Sequence, residues 1–153
     1  MFTPRKPFEH SGRVVYEWQQ SLEEVRIFVK PPSGVKASAL ACVLSSSHVK
    51  LGLVGNPPFL DNDLWSTIVQ DDSTWSLDGG EIEISLQKMK KGETWEAVFK
   101  GHGVLNPLEI SEAQKKLTLE RFQQEHPGFD FSGAEFSGAP PDPRSFMGGV
   151  KYT

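Results

Sequence analysis

Cysteine is nearly missing: Cys42 is the only one in 153 residues. It has no partner for an intramolecular disulfide, so a reducing compartment, cytosol or nucleus, is the expected setting. No apolar run approaches the ~20 residues of a membrane-crossing helix. Arg5 and Lys6 have no apolar stretch behind them of the kind a secretory leader needs. Basic residues are in the minority, 16 Lys and Arg against 20 Asp and Glu for a net charge of −4. A phosphate-binding surface usually leaves a basic excess, so nucleic acid is not the expected main partner. His10, His48, His102 and His126 stand alone, without another His or the cysteine at metal-ligand spacing. Asp61/Asp63 and Asp71/Asp72 lack the ligand ladder of a calcium loop and read as turn formers. Gly79-Gly80 lacks the surroundings of a phosphate loop. Cys42 alternates with Leu40 and Leu44, the pattern of a buried, inert thiol. No catalytic constellation, metal site or cofactor site is therefore expected.

What is present is a series of short alternating segments. Ile82, Ile84 and Leu86 alternate with Glu81, Glu83 and Ser85, and Trp75 and Leu77 give the preceding arm the same period. Asp78-Gly79-Gly80 supplies a tight turn, because Asp tolerates positive φ and Gly permits it without steric cost. This half-buried hairpin needs another apolar face. Arg13 to Gln20 and Glu24 to Lys30 read as strands, the second with Val25, Ile27 and Val29 inward and Phe28 on the polar side. Leu40 to Leu44, Val49 to Leu53, Phe59 to Trp65, Thr67 to Val69 and Thr94 to Phe99 complete the set. Short strands between Pro, Gly, Asp and Ser turns, with no βαβ rhythm, predict an all-β fold. The expected form is a compact antiparallel β-sandwich of seven to eight strands over 13–105, preceded by a flexible N-terminus at 1–12.

The pattern changes after Gly101-His102-Gly103. Ser111-Glu112-Ala113-Gln114 has the form of a capping box, which predicts a helix from Glu112 to about Glu125 ended by Pro127-Gly128. At ~100° per residue, Leu119 and Phe122 share one side, and Ala113 and Leu117 lie nearly opposite. Such a helix has two apolar patches, suited either to touching two surfaces or to being wedged under the tail. Phe129, Phe131 and Phe136 follow outside any regular element, to dock back on the sandwich or stand as a sticky peptide. Helix and Phe-rich tail span 106–138, and 139–153 has the composition of a disordered end.

Trp18-Gln19-Gln20-Ser21-Leu22-Glu23-Glu24-Val25, Val29-Lys30-Pro31-Pro32-Ser33-Gly34 and Ser73-Thr74-Trp75-Ser76-Leu77 resemble the CS domain of the nuclear distribution protein C (NudC) family. The stretch from Lys116 to Glu135 is the most specific part and resembles the small members of that family. The resemblance covers roughly residues 8 to 138. It implies a β-sandwich of the co-chaperone type and a non-enzymatic adaptor that binds and stabilises client proteins. It also implies work with the 90-kDa heat-shock chaperone and a link to the lissencephaly-protein regulator of dynein, hence to microtubules. A dedicated scaffold for a single complex is the alternative. The long coiled-coil region of full-size NudC has no counterpart here.

Partner-binding residues are sought among aromatics and charge clusters. Trp18 and Trp75 are assigned to the core, whereas Trp65 and Trp95, in less regular segments, are expected to be exposed. Phe28, Phe129 and Phe131 are further anchors, with Leu119 and Phe122 on the helix. Lys88, Lys90 and Lys91 form the basic cluster, read either as an attractor for an acidic surface or as a solvated strand end.

Overall fold

The hairpin at Asp78-Gly79-Gly80-Glu81 forms as its alternation requires. Gly79 and Gly80 take φ of 60° and 76°, the positive values that a two-residue turn needs to follow strand twist. Around it the computed structural model, which describes residues 2–127, arranges eight strands and one α-helix. In chain order these are β1 (Lys6–His10), β2 (Arg13–Gln20), β3 (Glu24–Val29), β4 (Leu40–Leu44), β5 (His48–Leu53), β6 (Pro58–Asp63), β7 (Thr74–Asp78), β8 (Glu81–Gln87) and α1 (Pro107–Glu125). All strand pairs are antiparallel. A five-stranded sheet in the order β1-β2-β3-β8-β7 packs on a three-stranded sheet in the order β4-β5-β6. The expected sandwich is present.

Side-chain alternation decides which face goes inward. Tyr16, Trp18, Val25, Ile27, Ile82, Ile84 and Leu86 are buried from the larger sheet and meet Val49, Leu51 and Leu60 of the smaller. Trp75 is partly buried against this core. Cys42 lies half-buried, and burial pushes its thiol up to about 11.

The structure departs from the sequence expectation in four places. The N-terminal residues are not a free arm: Lys6–His10 is an edge strand on β2, and Thr3 is buried, its N–H donating to Gln20 O at 2.8 Å. Thr67–Val69 is no strand, only an isolated bridge between Ile68 and Lys88. Thr94–Phe99 is irregular, yet Trp95, Ala97, Val98 and Phe99 are all buried. Consecutive burial does not fit a pleat, and at Trp95 a side chain takes the place of a neighbouring strand: Gln20 Nε2 donates to Trp95 O at 2.8 Å, and Trp95 N donates to Gln20 Oε1 at 2.9 Å.

The fourth departure is the helix start, five residues earlier than expected from Glu112. Asn106 caps it: Glu109 N donates to Asn106 Oδ1 at 2.8 Å, and Asn106 N donates to Glu109 Oε1 at 3.1 Å. Pro107 supplies a preset φ at the first helical position. This reciprocal box, with proline inside it, satisfies the first-turn donors better than Ser111 would. The expectations for Phe129, Phe131 and Phe136 and for 139–153 fall outside the described residues.

Candidate functional site

Helix α1 lies on the sandwich along the stripe of Ala113 and Leu117, 4% and 3% exposed. Glu120 Oε1 accepts from Leu22 N at 2.9 Å, which fixes the helix to the β2–β3 turn. Gly92 passes beneath Arg121 at a φ of 84°, where a Cβ would come within 2.0 Å of Nη2. The positive φ is what favours glycine here, since the exposed Arg121 side chain could move aside.

Between α1, β2 and the N-terminal segment is a groove of about 300 Å³. Trp18, Leu105, Ala113 and Leu119 give it apolar walls, and Lys6, Glu109, Glu112 and Lys116 stand at its polar rim. Lys6 Nζ meets Glu109 Oε2 at 2.8 Å and ties β1 to the first turn of the helix. That hydrogen bond, then the one from Asn106 N, holds the Glu109 carboxyl below its ordinary range. Apolar walls inside a rim of both charge signs suit a protruding apolar side chain of a folded partner. Leu119 is half-buried and lines this groove, while Phe122 is half-buried beside His126 with ring centroids 4.4 Å apart.

The other sequence candidates do not assemble. Trp95 is fully buried, which corrects its assignment to the surface, and Trp65 is half-buried against the core. Phe28 is 6% exposed because the Arg5 guanidinium covers it, 3.5 Å from the ring centroid. Arg5 is held there by Glu17 at 3.3 Å and Glu81 at 3.2 Å. Phe28 is thus covered and is not a free anchor.

The basic cluster separates. Lys90 and Lys91 are exposed, and Lys91 lies 3.7 Å from Glu23. Lys88 is 2% exposed. Its Nζ donates to Gln20 Oε1 at 3.0 Å, Ser21 O at 2.8 Å and Glu93 O at 2.6 Å. Burial lowers its pKa to about 8, against the favourable charges of Glu93 and Glu120. Lys88 is therefore an internal tie, not an attractor for an acidic surface. The sequence did carry the signal: Lys88 continues the inward parity of Ile82, Ile84 and Leu86, as Gln20 continues that of Tyr16 and Trp18.

One polar cluster escaped the sequence reading. His48 on β5 stands between Asp61 and Asp63 of β6, with Nε2 to Asp61 Oδ1 at 2.6 Å and Nδ1 to Asp63 Oδ1 at 2.7 Å. The Asp63 bond first, then the Asp61 bond, raises the imidazole pKa. Register pairs His48 with Asp63, a juxtaposition that separation along the chain concealed.

Comparison with known proteins agrees with this architecture. A family model described as the CS domain matches residues 14–88. NudC domain-containing protein 2 of Homo sapiens is 40% identical over 141 residues, covering 86% of this chain and 89% of the human protein. The chain belongs to the NudC-domain family. Within it, the nuclear movement protein nudc of Schizosaccharomyces pombe is 30% identical over 152 residues, covering 76% of this chain and 90% of that protein. The solution structure of the CS domain of human KIAA1068 protein superposes with a TM-score of 0.55 at 23% identity, over 64% of this chain and 86% of that one. In this NudC-domain chain the CS match ends at Lys88, so the groove combines CS strand β2 with segments on either side of the match: the N-terminal residues, Leu105 and α1.

Proposed function

We propose that this protein is a non-enzymatic, co-chaperone-like adaptor. It binds partly unfolded client proteins in the cytoplasm, works with the 90-kDa heat-shock chaperone, and serves the dynein and microtubule pathway through the lissencephaly-protein regulator. The observation that carries this reading is the 40% identity with the human NudC relative across 86% of the chain. That coverage reaches well beyond the 14–88 sandwich match. Relatives named for nuclear movement support the pathway. The groove beside α1 supports an adaptor role, since it offers a folded partner an apolar recess with charges of both signs around it.

Two measurements test the reading together. The intact chain should suppress light scattering of citrate synthase on heating and should bind the purified 90-kDa chaperone. Leu119→Glu places a charge in the groove. It should weaken chaperone binding about tenfold while leaving client protection and thermal stability close to the parent's. If the intact chain does neither, a scaffold dedicated to a single complex takes the place of this proposal.

A further inference from the structure

Open sheet edges present unpaired N–H and C=O groups, and proteins normally protect them with charge, proline, bulges or a covering segment. Each sheet here has two edges, and three of the resulting edge strands are blunted. β1 contains Pro7, Lys6 and Glu9, with a bulge between Phe8 and Glu9. β6 contains Pro58, Asp61 and Asp63, and the chain beyond it is covered through the Leu64–Phe99 bridge and the bond from Lys100 N to Asp63 O. β7 presents Thr74, Ser76 and Asp78 to solvent.

β4 is different. Leu40-Ala41-Cys42-Val43-Leu44 has no charge, no proline and no break in register, and among the described residues it pairs with β5 alone. Beside this edge two apolar side chains stand open, Val43 61% exposed and Val54 64%. Between them a depression of about 290 Å³ is lined by Ala41, Val43, Gly52, Val54 and Pro58, with Lys50 opposite Val43 at the same depression and the His48, Asp61 and Asp63 cluster farther along the face. Gly52 forms part of that lining, because a Cβ there would stand 2.7 Å from Pro58 Cα.

We infer that β4 accepts an extended, uncharged apolar segment of a partly unfolded client as an added strand of the smaller sheet. The inference rests on the client-binding reading and names the site and the form of the client. Backbone pairing along β4 is indifferent to sequence, and the depression beside Val43 takes alternate apolar side chains of the added strand. A second copy of this chain is a poorer occupant. Five residues make a strand roughly 17 Å long, too little to bury the ~1,200 Å² of a stable dimer.

The probe is reduced, carboxymethylated α-lactalbumin, an unfolded chain, added to the full-length protein. Its binding should slow amide exchange at Ala41–Leu44. Val43→Glu, with Lys50 opposite, should weaken that binding at least tenfold at an unchanged melting temperature. Should Val43→Glu also unfold the protein, exchange protection in the unaltered chain decides. Binding with neither protection of β4 nor sensitivity to Val43→Glu overturns this inference and leaves client binding intact. No binding of the unfolded chain, together with no suppression of client scattering, overturns both. Self-association that Val43→Glu abolishes makes a second copy the occupant and overturns the inference.

Discussion

Lys88 shows how much a single side chain does here. Its ammonium joins the end of β2, the β2–β3 turn and the loop at Glu93, and through Gln20 it reaches the backbone of Trp95. Lys88→Met keeps the aliphatic bulk and leaves those acceptors without their donor. A buried group stripped of its partner costs more than the net value of the bond, so a loss of about 2–4 kcal/mol is expected. Equilibrium guanidinium unfolding should show a lower midpoint at unchanged slope. His48 makes a second case, this time exposed. Its pKa is raised above 6.5 by Asp63 and then Asp61. Folding therefore gains from the charged imidazole fully below pH 6.5 and loses that gain as pH rises through the higher folded value. Titration followed by NMR should place His48 above 6.5, and Asp63→Asn should bring it down; an unshifted value in the parent would refute the geometry. These residues also mark where sequence reading failed. Lysine is rarely buried, so Lys88 was grouped with Lys90 and Lys91 by charge although its parity pointed inward. The aspartates near His48 were read as turn formers because nothing local reveals which strand lies beside them.

At the scale of elements, the strands of the larger sheet were legible wherever one face is buried and the other wet. β2, β8 and most of β3 follow that rule. β1 was missed because it is short, contains Pro7 and has few buried residues of its own; its pairing with β2 defines it. The segment Thr94–Phe99 was misread in the opposite direction. It packs into the core, and its backbone is held at Trp95 by Gln20 and elsewhere by Trp65, Leu105 and the Leu64–Phe99 bridge rather than by one neighbouring strand. α1 was found, with its first turn displaced, since two cap sequences compete within six residues. Asn106→Ala should lower stability by about 1 kcal/mol. The loss should accompany faster amide exchange at Glu109 and looser closure of the groove by Lys6. The Glu109 carboxyl is held below its ordinary range. Its contribution is present above that range and is lost as the pH falls through the lower folded value, so Glu109→Gln should remove that part of the pH dependence, whereas Asn106→Ala, which keeps the backbone N–H and Lys6, should not.

At the scale of the molecule, two surfaces stand out for opposite reasons. The groove beside α1 exists where the helix, β2 and the N-terminal segment meet. The edge of β4 is bare in the sense that, among the described residues, no strand but β5 pairs with it. Phe28, by contrast, would be a third apolar surface were Arg5 not laid over it. Sequence alone determined the all-β class, the hairpin at Gly79-Gly80, the inward parity of most strands and the presence of a helix near the end. These depend on neighbours a few residues apart, through alternation, turn chemistry and capping. Tertiary structure alone decided that Trp95 lies inside, which acceptors hold Lys88 there, that Arg5 covers Phe28, that His48 meets Asp61 and Asp63, and that β4 has a single partner strand among the described residues. Each of those depends on which distant segments the antiparallel registers bring side by side, and local periodicity does not encode register between strands far apart in the chain.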